Sequence, residues 1–382
     1  MIDPTVSALS LGAILALVQV ASIAIAGRRI GKVRGASTFP VGAPVSLVRP
    51  LHGIEAFSDE MLARSFRLAY PAYELIFCVA DSDDPIVPQV QRLIAEHPQV
   101  PARLILGDER ISDNPKLNNC LRGWRAAAHD WVVLADSNVA MPPDYLQRLQ
   151  AAWRDETGLV CSTPVGARPG SFMAEVECAF LNTLQARWQY AAETFGLGFA
   201  QGKSMLWHKP FLEARGGLQA LAAEIAEDAA ATKLVRAAGK RVHLVASPFE
   251  QPLGRRGFNE VWARQLRWAR LRRVTFPLFF APEIGSGVLL PALLVALWAG
   301  SLAGLAGAAG LVGLCYLAED RLAARAGWHR GPRMLAAFLV RDVLIPAIWL
   351  GAWVQSAIVW RGNAMDVRPR RASVDRACAP TA

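Results

Sequence analysis

The sequence predicts an α/β domain, a mainly parallel sheet covered by helices, held at a membrane by transmembrane helices near both ends of the chain. Three observations carry this expectation. Between Val45 and Ser247, short β-branched runs alternate with helical patterns, as in a parallel sheet with crossover helices. From Val6 to Ala26 the chain has no charged residue, and long apolar zones return after Ile284. The 382 residues carry a formal net charge of +9 together with 53% hydrophobic residues, which suits a protein that sets cationic segments against anionic lipid headgroups. The arginines cluster beside the apolar segments and do not interleave with aromatics on one polar domain, so nucleic acid is not the expected partner.

Taken in chain order, Val6–Ala26 is long enough to cross a hydrocarbon core of about 30 Å. Its cations, Arg28, Arg29, Lys32 and Arg34, follow the apolar run, the reverse of a cleavable signal. The run therefore reads as a retained anchor with its C-terminal side in the cytosol. Strands are expected at 45–51, 74–81, 102–108, 131–137 and 159–165, three of them ending in Asp81, Asp108 and Asp136. The stretch from Phe258, FNEVWARQLRWARLRR, reads as an amphipathic interfacial helix. The apolar zone Ile284–Leu317 is too long for one span and reads as a two-helix hairpin turning near Gly300 and Gly304. Met334–Trp360, with Arg341, Asp342 and Pro346, reads as a kinked span or a re-entrant pair; one simple span would put the basic tail after it outside. The expected divisions are an anchor (1–35), a cytosolic catalytic domain (36–257), an interfacial region (258–283), C-terminal membrane segments (284–365) and a basic tail (366–382). The six cysteines show no metal-ligand spacing and read as reduced thiols.

Ligands of open α/β sheets bind beyond the carboxyl ends of the strands, so polar residues directly after buried runs are the first candidates for chemistry. Asp108, in GDERISDN, reads as a turn former. VVLADSN delivers Asp136, Ser137 and Asn138 together, hard oxygen donors suited to Mg²⁺ or Mn²⁺ bridging phosphates. NPKLNN (114–119) offers Lys116 and paired amides, Asn118 among them, for a nucleotide's phosphate and ribose. Glu227 and Asp228 open an Ala-rich helical stretch, where acids also complement the helix dipole. In RQLRW, residues 264–268, helical spacing sets Arg264, Arg267 and Trp268 on one face. That face suits a ligand or lipid headgroups, with Arg270, Arg272 and Arg273 assigned to lipid. His208 reads as structural, and His52 receives no role.

Asp81, Asp136, Glu227-Asp228 and Arg264-x-x-Arg267-Trp268 occur in that order on a membrane-anchored α/β domain. This pattern resembles the D, D, D, (Q/R)xxRW signature of inverting glycosyltransferases with the GT-A fold, in their processive and lipid-acceptor branch. The nearest resemblance is to the ceramide glucosyltransferase family, through RPLHG (49–53), LAYPAYELIFCVADSDDP (68–85), NPKLNN (114–119), GLV (158–160), IAEDAAATK (225–233), RQLRW (264–268) and WRGN (360–363). The resemblance implies a UDP-sugar donor, most simply UDP-glucose, a lipid acceptor hydroxyl and a β-glycoside product. It implies Asp228 as general base, Asp81 at the uracil or ribose, and Asp136 on a Mg²⁺ or Mn²⁺ ion that neutralises the diphosphate. Arg264 and Arg267 are then expected at the diphosphate or on the loop over it, and Trp268 near the acceptor. Ser137 joins the donor site, with Gly202 and Ser204 of GFAQGKSML near the donor sugar. Asn138 stands where the family's DxD motif has its second acid.

The expected product is a glucosylceramide-type glycolipid; the alternatives are processive UDP-glucose or UDP-galactose transfer to diacylglycerol, and hopanoid glycosylation. A polysaccharide synthase shares the motif core but needs more membrane helices for an export channel. A transporter is disfavoured because Arg341 and Asp342 are the only charges inside a long span. A non-catalytic scaffold is disfavoured because every acid the chemistry needs is present. The abundance of Ala, Arg and Gly points to a GC-rich bacterial genome, hence to the inner cell membrane with the catalytic domain facing the cytosol.

Overall fold

A computed structural model describes residues 4–299, 302–355, 357–360 and 363–366. Helix α1 (Pro4–Arg29) leads to strand β1 (Val45–Leu51), α2 (Ser58–Ala63), β2 (Tyr73–Val79), α3 (Ile86–Glu96), β3 (Ala102–Leu106), α4 (Pro115–Ala126) and β4 (Trp131–Ala135). Next come α5 (Tyr145–Gln150), β5 (Thr157–Ser162), β6 (Val165–Pro169), α6 (Phe172–Cys178), a π-helical segment (Ala179–Ala186), α7 (Arg187–Thr194), β7 (Ser204–His208) and α8 (Lys209–Glu213). The domain closes with α9 (Glu227–Ala237), β8 (Arg241–Leu244) and β9 (Glu250–Gly254). There follow α10 (Phe258–Thr275), α11 (Pro277–Phe280), α12 (Leu289–Ala299), α13 (Leu302–Ala326) and α14 (Met334–Val354), then the hairpin β10 (Ala357–Trp360) and β11 (Asn363–Asp366).

Seven strands form one sheet in the order β3-β2-β1-β4-β7-β5-β8. β3, β2, β1 and β4 run parallel, as does β5 with β8. β7 is antiparallel to both β4 and β5, and β6 pairs with β9 in a second small sheet. The sheet is thus mainly parallel, as expected, while β7, β8 and β9 have no counterpart among the expected strands. SMLWH carries no strand expectation, but hydrogen bonds to strands far away in sequence make it central. The strands before Asp81, Asp108 and Asp136 stop at Val79, Leu106 and Ala135, so each aspartate follows its strand and is not its last residue.

Helix α4 illustrates the local logic. Pro115 occupies the first turn, where its missing N–H costs nothing, and the Asn114 side chain caps the helix by accepting from the Lys116 and Leu117 amides. Its Gly123 lies flush on the sheet: a Cβ there would come within 2.7 Å of Val48 and closer still to the Cys78 sulfur. The five cysteines among the described residues are buried and unpaired, and burial pushes the Cys78 thiol up to about 12.

The membrane helices are built into this core. Ile23 and Ala26 of α1 and Leu322 and Ala323 of α13 pack in the same cluster as Trp124, Leu121 and Trp207 on one face of the sheet. Three helices, Ser10–Arg29 within α1, α13 and α14, are long and apolar enough to cross a membrane. The expected hairpin forms from α12 and α13, but α13 runs on to Ala326. Its first arm does not match a simple span, since Pro277–Gly285 and Leu289–Leu297 meet at a 55° bend. The last helix ends at Val354, and 357–360 is strand where the apolar segment was expected to continue to Trp360.

Arg341 and Asp342, the charges expected inside the last apolar segment, are not isolated. Arg341 bonds Glu319 of α13 at 2.6 Å and Asp342 at 2.7 Å, and Arg187 of α7 bonds Glu319 at 2.8 Å. Arg187 also donates to Gln19 of α1, so four helices meet in one buried, charge-balanced network.

Candidate active site

The carboxyl ends of β1, β2 and β4 lie at one edge of the sheet, and the order changes direction where β1 meets β4, the crevice in which open α/β sheets bind ligands. Asp136 follows β4 directly and is partly buried. Its oxygens contact Lys116 Nζ at 2.7 Å and Lys203 Nζ at 2.8 Å. Lys116 also pairs with Glu227 at 2.7 Å and donates to the Gly202 carbonyl. Burial would raise the Asp136 carboxyl, but the two ammonium groups hold it well below the usual carboxylate range. Burial would likewise lower Lys116, but Asp136 and Glu227 outweigh it and hold the ammonium above the ordinary lysine range.

Asp228 stands in the first turn of α9, next to this cluster. Its carboxylate accepts from the Gly202 amide at 3.2 Å and from its own helix at Ala229 N, 2.8 Å. Burial, then the neighbouring Glu227 charge, push it up to about 7 against the pull of Lys116. Gly202 makes the approach possible: a Cβ there would lie 2.6 Å from Glu227 Oε1 and 2.8 Å from Lys116 Nζ. Thr232 fastens the same loop to α9, accepting from Ala200 N and donating to the Asp228 carbonyl.

Lys116, Asp136, Gly202 and Asp228 are therefore brought together. Asp81 is exposed beyond β2 at the same sheet edge, where it accepts from Asp83 N at 2.9 Å. Ser137 lies beside Asp136, its carbonyl held by Arg49. Five expected site residues remain: Asn118, Ser204, Arg264, Arg267 and Trp268. Asn118 clamps the 111–112 turn, accepting from the Ile111 and Ser112 amides and donating to the Ser112 carbonyl. Ser204 is wholly buried in β7, where its oxygen accepts from Tyr145. Arg264 pairs at 2.6 Å with Glu177, a buried acid on α6, and Trp268 packs against the cluster of Ala174, Cys178, Leu181 and Leu253. RQLRW, on α10, is thus braced on α6, and Arg267 shares α10 with Arg264.

Several residues of the site escaped sequence reasoning. Lys203 bridges Asp136 and the Asn138 side-chain oxygen. Asn114 donates to Glu227 at 2.7 Å, and Arg49, wholly buried, donates to the Asp136 and Ser137 carbonyls at 2.9 and 2.8 Å. Arg49 alone carried a local signal, a cation inside the buried run VSLVRPL. His208 packs against Trp131 in a tilted arrangement with ring centroids 4.7 Å apart, in keeping with a structural role. His52 stands 3.4 Å from Asp84, a buried acid whose carboxylate also accepts from Gly53 N.

Among the described residues, no three His, Cys, Asp or Glu side chains gather into a metal cage. Asp136 is a partly exposed carboxylate with one ammonium group on each oxygen, so it could serve a divalent ion, which takes one or two carboxylates with water and phosphate, only once a lysine moves from it to the phosphate.

A family model described as Glycosyl transferase family 21 matches residues 9–373. Ceramide glucosyltransferase 1 of Caenorhabditis elegans is 25% identical over 328 residues, 84% of this chain and 70% of its own length. Ceramide glucosyltransferase of Komagataella phaffii is 36% identical over a shorter stretch of 99 residues, 25% of this chain and 19% of its own. Among solved structures, mannosyltransferase PcManGT from Pyrobaculum calidifontis, in complex with GDP-Man and Mn²⁺, covers 91% of this chain and 98% of its own at 17% identity, with a TM-score of 0.47.

Proposed function

The chain belongs to glycosyl transferase family 21, as a membrane-bound hexosyltransferase with a GT-A domain, and from that premise we propose that it moves glucose from UDP-glucose to the primary hydroxyl of ceramide with inversion. The observation that carries this reading is Asp228, a carboxylate raised to about 7 beside a cluster of two lysines and two further acids. A base with a pKa near the working pH suits deprotonation of an alcohol. In the proposed step the ceramide oxygen attacks the anomeric carbon, its proton passes to Asp228, and the bond to UDP breaks with inversion to a β-glycoside.

Lys116 and Lys203 carry the positive charge that stabilises the leaving diphosphate. Asp81 and Ser137 contribute to the nucleotide side of the pocket. A Mg²⁺ or Mn²⁺ ion held by Asp136 and completed by diphosphate oxygens would supply further neutralisation. Gly202 keeps donor, lysine and base close together. Arg264 braces α10 on α6 through Glu177, with Arg267 assigned to the diphosphate and Trp268 to the acceptor side. Asn118 and Ser204 support this pocket through the turn and the strand they fix. The proposed location is the inner cell membrane, multi-pass, with the catalytic domain in the cytosol.

The test is to incubate membranes containing the protein with labelled UDP-glucose, UDP-galactose or UDP-glucuronic acid, against ceramide or diacylglycerol, with Mg²⁺, Mn²⁺ or a chelator. Mass spectrometry of the lipids should find one hexosylceramide, formed from UDP-glucose and lost on chelation. Mono- and dihexosyl diacylglycerols would replace ceramide as the acceptor. No product in any pairing would reject both.

A further inference from the structure

We propose that α14 lies in the plane of the membrane interface with its outer face in lipid, and that both its ends lie on the catalytic domain's side. Length and composition alone would allow it to span, since its 21 residues reach about 30 Å at 1.5 Å per residue. Its partners argue otherwise. At its start, Arg333 pairs with Glu175 of α6 at 2.5 Å. In its middle, Arg341 donates to Thr183 Oγ1 at 2.9 Å, in the π-helical segment that continues α6. At its end, Trp353 lies under the Arg273 guanidinium of α10 at 5.4 Å, and Gln355 accepts from Arg270 at 3.3 Å.

Helices α6 and α10 are themselves joined by the Arg264–Glu177 pair. Helix α10 carries Arg264, Arg267, Arg270, Arg272 and Arg273 within ten residues, a charge density the hydrocarbon core does not accommodate. A helix packed along that layer from its first residue to its last stays at the layer's level. An upright span would carry one end about 30 Å away, across the bilayer.

The exposed faces point the same way. Helices α1 and α13 expose no large apolar side chain over their last turns, nearest the sheet. In α1 the last such residue among those described is Val20, and in α13 it is Leu317. Helix α14 exposes Leu335, Leu339, Val343, Leu350, Trp353 and Val354, a single stripe running its whole length. The stripe faces away from the protein, while the inward face sets the buried Arg341 and Asp342 among apolar residues such as Phe338 and Ile345. The occupant of the stripe is therefore lipid. The basic residues after Trp360 then stay on the side of the catalytic domain, resolving the conflict a simple span creates.

The full-length chain, with Cys378→Ser to remove the cysteine in the tail, would be reconstituted in phosphatidylcholine–phosphatidylglycerol bilayers. A nitroxide placed in turn at Leu335→Cys, Val343→Cys and Val354→Cys would report depth through its exposure to oxygen and to a water-soluble nickel chelate. The expected result is three depths within about 5 Å of one another, near the boundary layer. Val343 near the bilayer centre, with the other two labels at opposite surfaces, would overturn the proposal. Labelling that perturbs folding leaves an independent arm on the unsubstituted chain: proteolysis of a C-terminal epitope in sealed vesicles that expose the catalytic domain. Cleavage of the epitope together with the domain is expected, and its protection would overturn the assignment.

Discussion

Asp228 owes its raised pKa first to burial and then to Glu227, so the rate of transfer should rise with pH through about 7 as the carboxylate becomes available to accept a proton. Glu227→Gln removes the like charge and should move that rising limb to lower pH; initial rates measured across pH 5–9 at saturating donor would check this. Asp228→Asn should lower kcat by about 10²–10⁴-fold while UDP affinity, measured by calorimetry, changes only a few-fold. Gly202→Ala tests the close approach. Its methyl meets only the ends of the Glu227 and Lys116 side chains, which can move, so Tm should change little while kcat/KM falls at least tenfold. Equal losses in Tm and rate would assign Gly202 to folding alone.

Among the elements, the informative pair is α6 with α10. RQLRW is expected to reach the diphosphate or to hold the loop over it, whereas the structure sets Arg264 on Glu177 of helix α6, so that this pair braces α10 on α6. Glu177→Ala and Arg264→Ala should therefore impair activity to similar extents, and the double variant should be little worse than either, since both remove one contact. Independent, additive losses in kcat/KM would separate Arg264 from Glu177 and return it to the ligand. The same two helices form the floor on which α14 rests, so the motif and the last apolar helix are joined through one set of contacts. Neither RQLRW nor the apolar pattern of α14 carries that connection alone; it arises from contacts between residues 85 or more positions apart.

At the scale of the whole molecule, the catalytic domain and the membrane helices share one core and one buried ionic network. Arg341→Ala would leave Glu319 and Asp342 buried without their main partner, a loss of about 3–5 kcal/mol for a broken buried pair. The yield of monodisperse protein in detergent should fall accordingly, as gel filtration would measure. Local sequence was enough for the β-branched runs, the apolar helices and the polar residues directly after strands, because strand and helix periodicity, hydropathy and turn chemistry act over a few residues. It therefore singled out Asp136, Lys116 and Asp228, which the structure brings together, and carried the resemblance to the family. Only the tertiary structure decided that β7 runs antiparallel in the middle of the sheet, that Lys203 and Glu227 complete the cluster, and that Asn118, Ser204 and Arg264 are held by other partners. Strand register and charge pairing join residues far apart along the chain, so hydrogen bonds and burial, and not local pattern, assign each of these side chains its partner.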